Sequence, residues 1–349
     1  MKTQPGAPGL AKLVSAPLPC EDGTVAPAKV FIDGHAGTTG LRIRELLVAR
    51  DDIVLIAPPE AQRKNPAARR ECMAEADAMV LCLPDDAARE AVALAEGLDL
   101  AIIDASTAHR VAEGWLYGLP ELEPAQRVAL ARATRVTNPG CYPTGVVLLL
   151  RPLIEAGLLA PTAPVTIHAL SGYSGGGRPM IERWEDPAVG LIGLPFEAPY
   201  ALDKRHKHIA EMVRYGRLEN QPQFVPAVGP FRCGMRIEIP LHVTLLREGV
   251  NARILHGCLA DRYADEGFIE LAPWQGTFET DESTLDPRAL NDTNSIRLAV
   301  ASHPDGHALL VAVLDNLGKG AAGAAVQNLN LILGCPEAQG LRRHAAKAA

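Results

Sequence analysis

The stretch that decides the fold is Lys29-Val30-Phe31-Ile32-Asp33-Gly34-His35-Ala36-Gly37-Thr38-Thr39-Gly40-Leu41. A short β-branched and aromatic run passes at once into three glycines spaced three apart. Leu41, Ile43, Leu46 and Leu47 then recur with near-helical spacing. The order is strand, glycine turn, helix. Glycines there let backbone N–H groups and a helix N-terminus approach a pyrophosphate. Gly34, Gly37 and Gly40 are therefore candidate dinucleotide contacts, with Thr38 and Thr39 adding hydroxyls.

Reading outward, Asp52 to Ala57, Ala78 to Leu83 and Leu98 to Asp104 form three further apolar runs, with helical stretches between them. This alternation predicts an α/β fold, a Rossmann-type doubly wound parallel sheet. Its ligands sit beyond the carboxyl ends of the strands. Gly34 to Gly40, Pro58 to Arg63, Pro84 to Asp86 and Ser106 all fall there. After the second run comes Pro58-Pro59-Glu60, then Arg63 and Lys64. A cation at this point suits a ribose 2′-phosphate, so Arg63 favours NADP over NAD.

Residues 137 to 145 read Thr-Asn-Pro-Gly-Cys-Tyr-Pro-Thr-Gly and lead into an apolar helix. Oriented N–H groups and the positive helix end favour a thiolate at Cys141, the nucleophilic form of a cysteine. Three consecutive glycines, 175 to 177, mark a loop or a close backbone approach. Downstream, Tyr200 precedes His206-Lys207-His208 and Glu211. On a helix His208 and Glu211 share a face; His206 and His208 would not, so either the helix starts between them or they serve separate tasks. Histidine is the natural acid/base near neutrality. The two histidines and Glu211 could also hold zinc, but a dinucleotide fold with a poised cysteine needs no metal, and none is expected.

The remaining middle segment has strand-like runs at 165–169, 235–246 and 308–314. They predict a second, α+β catalytic domain with a mixed or antiparallel sheet. Gly320 to Leu333 reads as a small-residue helix. The expected division is an arm over 1–28, a cofactor domain over 29–140 completed by 318–349, and a catalytic and oligomerisation domain over 141–317. Arg236 to Leu241 alternates and suits part of an oligomer sheet.

Composition bounds the function. Of 349 residues, 48% are hydrophobic and only 4% aromatic, so Ala, Leu and Val fill the core. Thirty-four basic against 41 acidic residues give a net charge of −7, no footprint for nucleic acid or an anionic membrane. No apolar window approaches the ~18 residues of a membrane span. The seven cysteines are scattered and never spaced CxxC, which suits a reducing cytoplasm rather than a disulfide framework or zinc site.

Taken together, GHAGTTGLRIRELL (34–47), LCLPDD (81–86), DASTAHR (104–110), NPGCYPTG (138–145), SGYSGGGR (171–178), HKHIAEM (206–212) and DNLGKGAAGAAVQNLN (315–330) resemble the N-acetyl-γ-glutamyl-phosphate reductase family in its shorter bacterial form. The resemblance runs from about Lys29 to Cys335. It implies an NADPH-dependent enzyme of arginine biosynthesis that reduces an acyl phosphate to a semialdehyde, and a homo-oligomer, dimer or tetramer. By resemblance, Cys141 is the nucleophile and His206 the acid/base. Tyr200, His208 and Glu211 hold or orient the substrate. Ser174, Gly175 and Asn316 lie at the cofactor, and the 318–349 helix returns to the first domain. Ser106 and Arg110 match the segment after the fourth strand, and we read Arg110 as a phosphate ligand. The rivals are a related acyl-phosphate reductase such as aspartate-semialdehyde dehydrogenase, and a non-catalytic NADP-binding sensor, which predicts no turnover.

Overall fold

The computed structural model describes residues 26–190, 193–203, 205–274 and 285–345. The proposed arm lies outside them except for its last three residues. Strands β1 (Ala28–Asp33), β2 (Ile53–Ile56), β3 (Ala78–Leu81), β4 (Ala101–Asp104), β5 (Leu116–Tyr117) and β6 (Arg135–Thr137) form one sheet in the order β2-β1-β3-β4-β6-β5. Every pairing in it is parallel. Helices α1 (Thr38–Leu47), α2 (Pro66–Glu75), α3 (Asp85–Leu94) and α4 (Gln126–Leu130) lie between the strands.

Alternate residues of these strands feed two cores. Val30, Ile32, Val80 and Ile103 pack with Ile43 and Leu47 of α1. Phe31, Met79, Leu81 and Ile102 pack on the other face with Met73 of α2 and Ala88 and Ala91 of α3. A sheet covered on both sides explains why its strands read as continuous apolar runs. The fourth run starts late, at Ala101, because Leu98 N–H donates to Ala95 O and keeps Leu98 in the turn after α3. The strand order reverses between β1 and β3, and the glycine turn sits at that switch point, where such sheets bind ligands.

The second sheet follows α5 (Cys141–Glu155) and contains β7 (Thr166–Gly172), β8 (Ala198–Pro199), β9 (Gln223–Gly229), β10 (Met235–Leu241), β11 (Ile269–Leu271), β12 (Ile296–Ser302) and β13 (Ala308–Leu314). Helices α6 (Arg178–Trp184), α7 (Ile209–Tyr215) and α8 (Ala252–Tyr263) interleave with them. The order is β11-β12-β13-β10-β7-β9-β8, with both parallel and antiparallel pairs. The strand expected over 235–246 ends at Leu241. His242 there accepts the Thr244 N–H and opens a 3-10 turn over Val243–Leu245. The alternating segment Arg236 to Leu241 is an interior strand, paired on both sides, and Arg236 and Glu238 form an ion pair at 3.1 Å.

Helix α5 is buried along almost its whole length under this sheet. A Cβ at Gly145 would stand 2.5 Å from Ile237 Cδ1, so glycine sets how closely helix and sheet approach. After β13 the chain makes a π-helical turn, Gly318–Ala322, and continues as α9 (Gly323–Ile332). Ala322, Ala325, Val326 and Leu329 pack into the first sheet's core, so the C-terminal segment returns to it. Among the described residues no helix is long and apolar enough to cross a membrane.

Candidate active site

Where the two sheets meet, a cavity of about 1100 Å³ opens. On one wall lies the start of α1. Gly34 has φ +91°, and a Cβ there would strike Cys82 O; a Cβ at Gly40 would stand 2.5 Å from Gly34 O. These two glycines make the tight turn and the close helix–strand packing, and neither lines the cavity. Gly37, Thr38 and Thr39 do line it. Gly37 is the N-cap of α1, and no side chain caps that helix, so its first N–H groups are left for a ligand. That uncapped end and the glycine cradle fit a dinucleotide pyrophosphate.

The opposite wall is built around the N-terminus of α5. Cys141 is its first residue and faces the cavity. A Cβ on the preceding Gly140 would stand 2.6 Å from Arg110 Nη1 and 2.7 Å from His208 Nε2. Only glycine lets the arginine and the histidine come this close to the turn that carries the sulfur. Behind them, Glu211 accepts hydrogen bonds from Arg110 Nη1 (2.7 Å), Tyr117 Oη (3.2 Å) and Gly140 N–H (2.9 Å). Glu211 is 1% exposed and outside the cavity lining. It anchors the pieces of the site instead of meeting a ligand. Nε of Arg110 has no hydrogen-bond partner among the described residues.

His208 caps α7 and His206 precedes it, so the helix starts after both. Their rings meet edge to face, with centroids 4.8 Å apart. Nδ1 of His206 accepts the His208 backbone N–H at 3.2 Å, which puts the proton of the neutral ring on Nε2. Nε2 lies 3.4 Å from Tyr200 Oη, which donates to Tyr142 Oη at 3.1 Å. His206 therefore faces the cavity as a hydrogen-bond donor.

Burial dominates the electrostatics. It pushes the Cys141 thiol up to about 11, against the pull of Arg110, the Tyr142 N–H and Lys207. Desolvation at this site thus opposes the thiolate that the nearby cation and N–H favour. Burial also lowers His206 to about 4, with Lys207 and Arg110 adding to the effect, and holds His208 well below the usual imidazole value. Both rings are neutral at pH 7.

Ser174, Gly175 and Asn316 line the cavity together. Asn316 Nδ2 donates to Ser174 Oγ at 3.0 Å, and its Oδ1 accepts the Gly234 N–H at 2.8 Å, tying three loops. Gly320, in the π-turn, brings that turn against the nucleophile; a Cβ would stand 2.8 Å from Cys141 Cβ. Two further sequence candidates stand outside the lining, besides Gly34, Gly40 and Glu211. Ser106 is buried and closes a turn by donating to Asp104 Oδ2 at 2.9 Å, outside the cavity lining. Arg63 is exposed, paired with Glu60 at 3.2 Å, and also outside the lining. The arginines that do line it are Arg42, Arg110, Arg178, Arg232 and Arg288.

Sequence reasoning missed Tyr117 and the Lys319–Glu121 pair. Tyr117 has no motif around it. Lys319 carried a signal, a lone cation inside a run of small residues.

Two family models match the chain: the semialdehyde dehydrogenase dimerisation domain over residues 141–316 and the semialdehyde dehydrogenase NAD binding domain over 59–130. The chain is 49% identical over 312 residues to N-acetyl-gamma-glutamyl-phosphate reductase 2 of Pseudomonas putida, covering 89% of this chain and 98% of that protein. The chain belongs to the N-acetyl-γ-glutamyl-phosphate reductase family. Reductases of this name from Burkholderia cenocepacia and a Nostoc species are 48% and 46% identical, covering 88% and 90% of this chain and 98% and 99% of theirs. As a member of the N-acetyl-γ-glutamyl-phosphate reductase family it is an oxidoreductase with an NAD(P)-binding domain. Among solved structures, aspartate semialdehyde dehydrogenase II from Vibrio cholerae superposes with a TM-score of 0.66 at 16% identity, over 88% of this chain and 98% of that one. That likeness shows the shared two-sheet fold.

Proposed function

We propose that this oxidoreductase reduces N-acetyl-γ-glutamyl phosphate to N-acetylglutamate 5-semialdehyde with NADPH, releasing phosphate, as a step of arginine biosynthesis in the cytoplasm. One observation carries the reading. Cys141, at the start of α5, shares a single cavity with the uncapped start of α1 and with Arg110, His206 and His208. The chain's similarity to relatives bearing that reductase name supports the substrate.

Gly37, Thr38 and Thr39 would hold the pyrophosphate at the helix end, and Ser174, Gly175 and Asn316 would border the nicotinamide. No acidic residue directly follows β2, where Ala57, Pro58 and Pro59 stand, so no carboxylate there selects a free ribose 2′-hydroxyl, which favours the 2′-phosphate form. The acyl phosphate docks its anionic groups against Arg110 and Lys207. Its charge offsets the cations that help hold His206 neutral; the ring then gives up the His208 N–H, carries its own proton on Nδ1, and takes the thiol proton at Nε2 as Cys141 attacks the acyl carbon. The acyl–phosphate bond breaks, phosphate leaves and Cys141 carries a thioester. When bound, the dinucleotide supplies the hydride. His206 returns its proton to the sulfur as the thiohemiacetal on Cys141 collapses to the aldehyde. Glu211 acts through Arg110 and Gly140, as a positioning residue.

The test omits the reductant. Protein incubated with N-acetylglutamyl phosphate should gain the acyl mass on Cys141 and release one phosphate per chain. An unmodified Cys141 overturns the mechanism, and preferential turnover of aspartyl phosphate overturns the substrate. Assembly as a homo-oligomer is proposed from the dimerisation-domain match; sedimentation at the monomer mass would reject it.

A further inference from the structure

The hairpin between β12 and β13 reads Ser302-His303-Pro304-Asp305-Gly306-His307. It closes by His303 N–H to His307 O and Gly306 N–H to His303 O, both 3.0 Å, with Gly306 at φ +85°. This tight turn throws three side chains to one side. One ligand atom each from His303, Asp305 and His307 lie within 4.8 Å of one another. His303 Nδ1 and Asp305 Oδ2 are 3.4 Å apart. That nitrogen also accepts the Asp305 N–H at 3.2 Å, so an ion would be taken by Nε2 of His303 or would displace this bond. His242 comes from the turn after β10, and its ring centroid is 4.4 Å from that of His307. The Val243 N–H donates to His307 Nδ1 at 3.1 Å, which holds the hairpin against that turn.

We propose that His303, Asp305 and His307, with solvent completing the shell, form a surface site for a divalent transition-metal ion of the zinc class. Imidazole and carboxylate donors suit zinc, copper, nickel or cobalt; they do not suit magnesium or calcium, which take all-oxygen shells. His303 and Asp305 are exposed, so solvent can complete the coordination and the side chains can close on an ion. The site lies at the far end of β13 from Asp315 and Asn316, seven strand residues or roughly 20 Å away. It is therefore separate from the reductase chemistry, and a bound ion would brace the hairpin itself. Cysteine spacing, which is how a zinc site is usually read from sequence, gives no hint of it.

The experiment titrates Zn²⁺ alone into the untagged full chain against a chromophoric zinc indicator. One ion per chain is expected, equally in the parent and in Cys141→Ser. His303→Asn/His307→Asn should weaken binding by at least ~10-fold while keeping the parent's turnover. Co²⁺ in place of Zn²⁺ should show d–d absorption without a sulfur charge-transfer band. Should the double variant lose turnover, Asp305→Asn alone decides by the same criterion. The proposal fails if no stoichiometric ion binds, if the variants bind as the parent does, or if Cys141→Ser abolishes the site.

Discussion

Two effects of opposite sign act on the Cys141 sulfur. The helix start and Arg110 favour a thiolate; burial opposes it and wins, leaving the thiol at about 11. His206 is shifted the other way, to about 4. The free protein thus holds a neutral thiol and a neutral imidazole through the whole neutral range. The acid limb of kcat/KM should lie near pH 4, where an unperturbed imidazole would place it at about 6.5. A pH–rate profile bending at the unperturbed value would reject this assignment. His206→Asn should lower kcat by ~10²–10⁴-fold, and steady-state assays finding a mere twofold loss would move the acid/base role elsewhere. The same shifts bear on stability. His206 and His208 stay neutral in the folded chain where the unfolded chain already binds protons. Stability should be at its full value above about pH 6.5 and fall as pH drops toward about 4. Denaturant midpoints across that window read the slope; a midpoint that does not decline there contradicts it.

At the scale of elements, the π-turn Gly318–Ala322 matters most. Its geometry sets Gly320 directly against Cys141, with no room for a methyl group. Gly320→Ala should cost about 1–3 kcal/mol by overpacking and reduce kcat by as much as ~10²-fold through displacement of the sulfur. A variant with parental kcat would show that the turn tolerates a shift. The sequence marked this region as a small-residue helix; the wider π-helical turn was not legible, because a run of glycine and alanine has too little side-chain contrast to display either period. Boundaries of β4 and β10 were missed for a similar reason. The apolar pattern extends beyond the ladder, before the first residue of β4 and past the last of β10, and a local hydrogen bond sets each limit.

Across the whole molecule, the return of the C-terminal segment is secured by a buried polar lock. Lys319 Nζ donates to Glu121 Oε1 and to Gln327 Oε1, each at 2.7 Å, and both charged side chains are fully enclosed. Arg127 extends this network through Glu337, which also accepts from Gln327. Glu121→Gln would leave an ammonium buried without its counter-charge and should destabilise by about 3–5 kcal/mol, read from urea unfolding. Glu121→Leu/Lys319→Met, which removes both charges, should recover much of that loss. A Glu121→Gln protein as stable as its parent would reduce the lock to ordinary packing.

Local chemistry settled much of this protein. Apolar runs buried on both faces, glycines where a Cβ cannot fit, and a cysteine at a helix start all write themselves into the chain. They made the dinucleotide sheet, the cradle and the nucleophile readable. Only the tertiary structure decided the rest. Burial, not spacing, sets the protonation of Cys141 and the histidines, turns Glu211 from a ligand candidate into an anchor, and draws Tyr117, Lys319 and Glu121 from distant segments into buried pairs. Desolvation depends on everything packed around a group, and no stretch of sequence contains that.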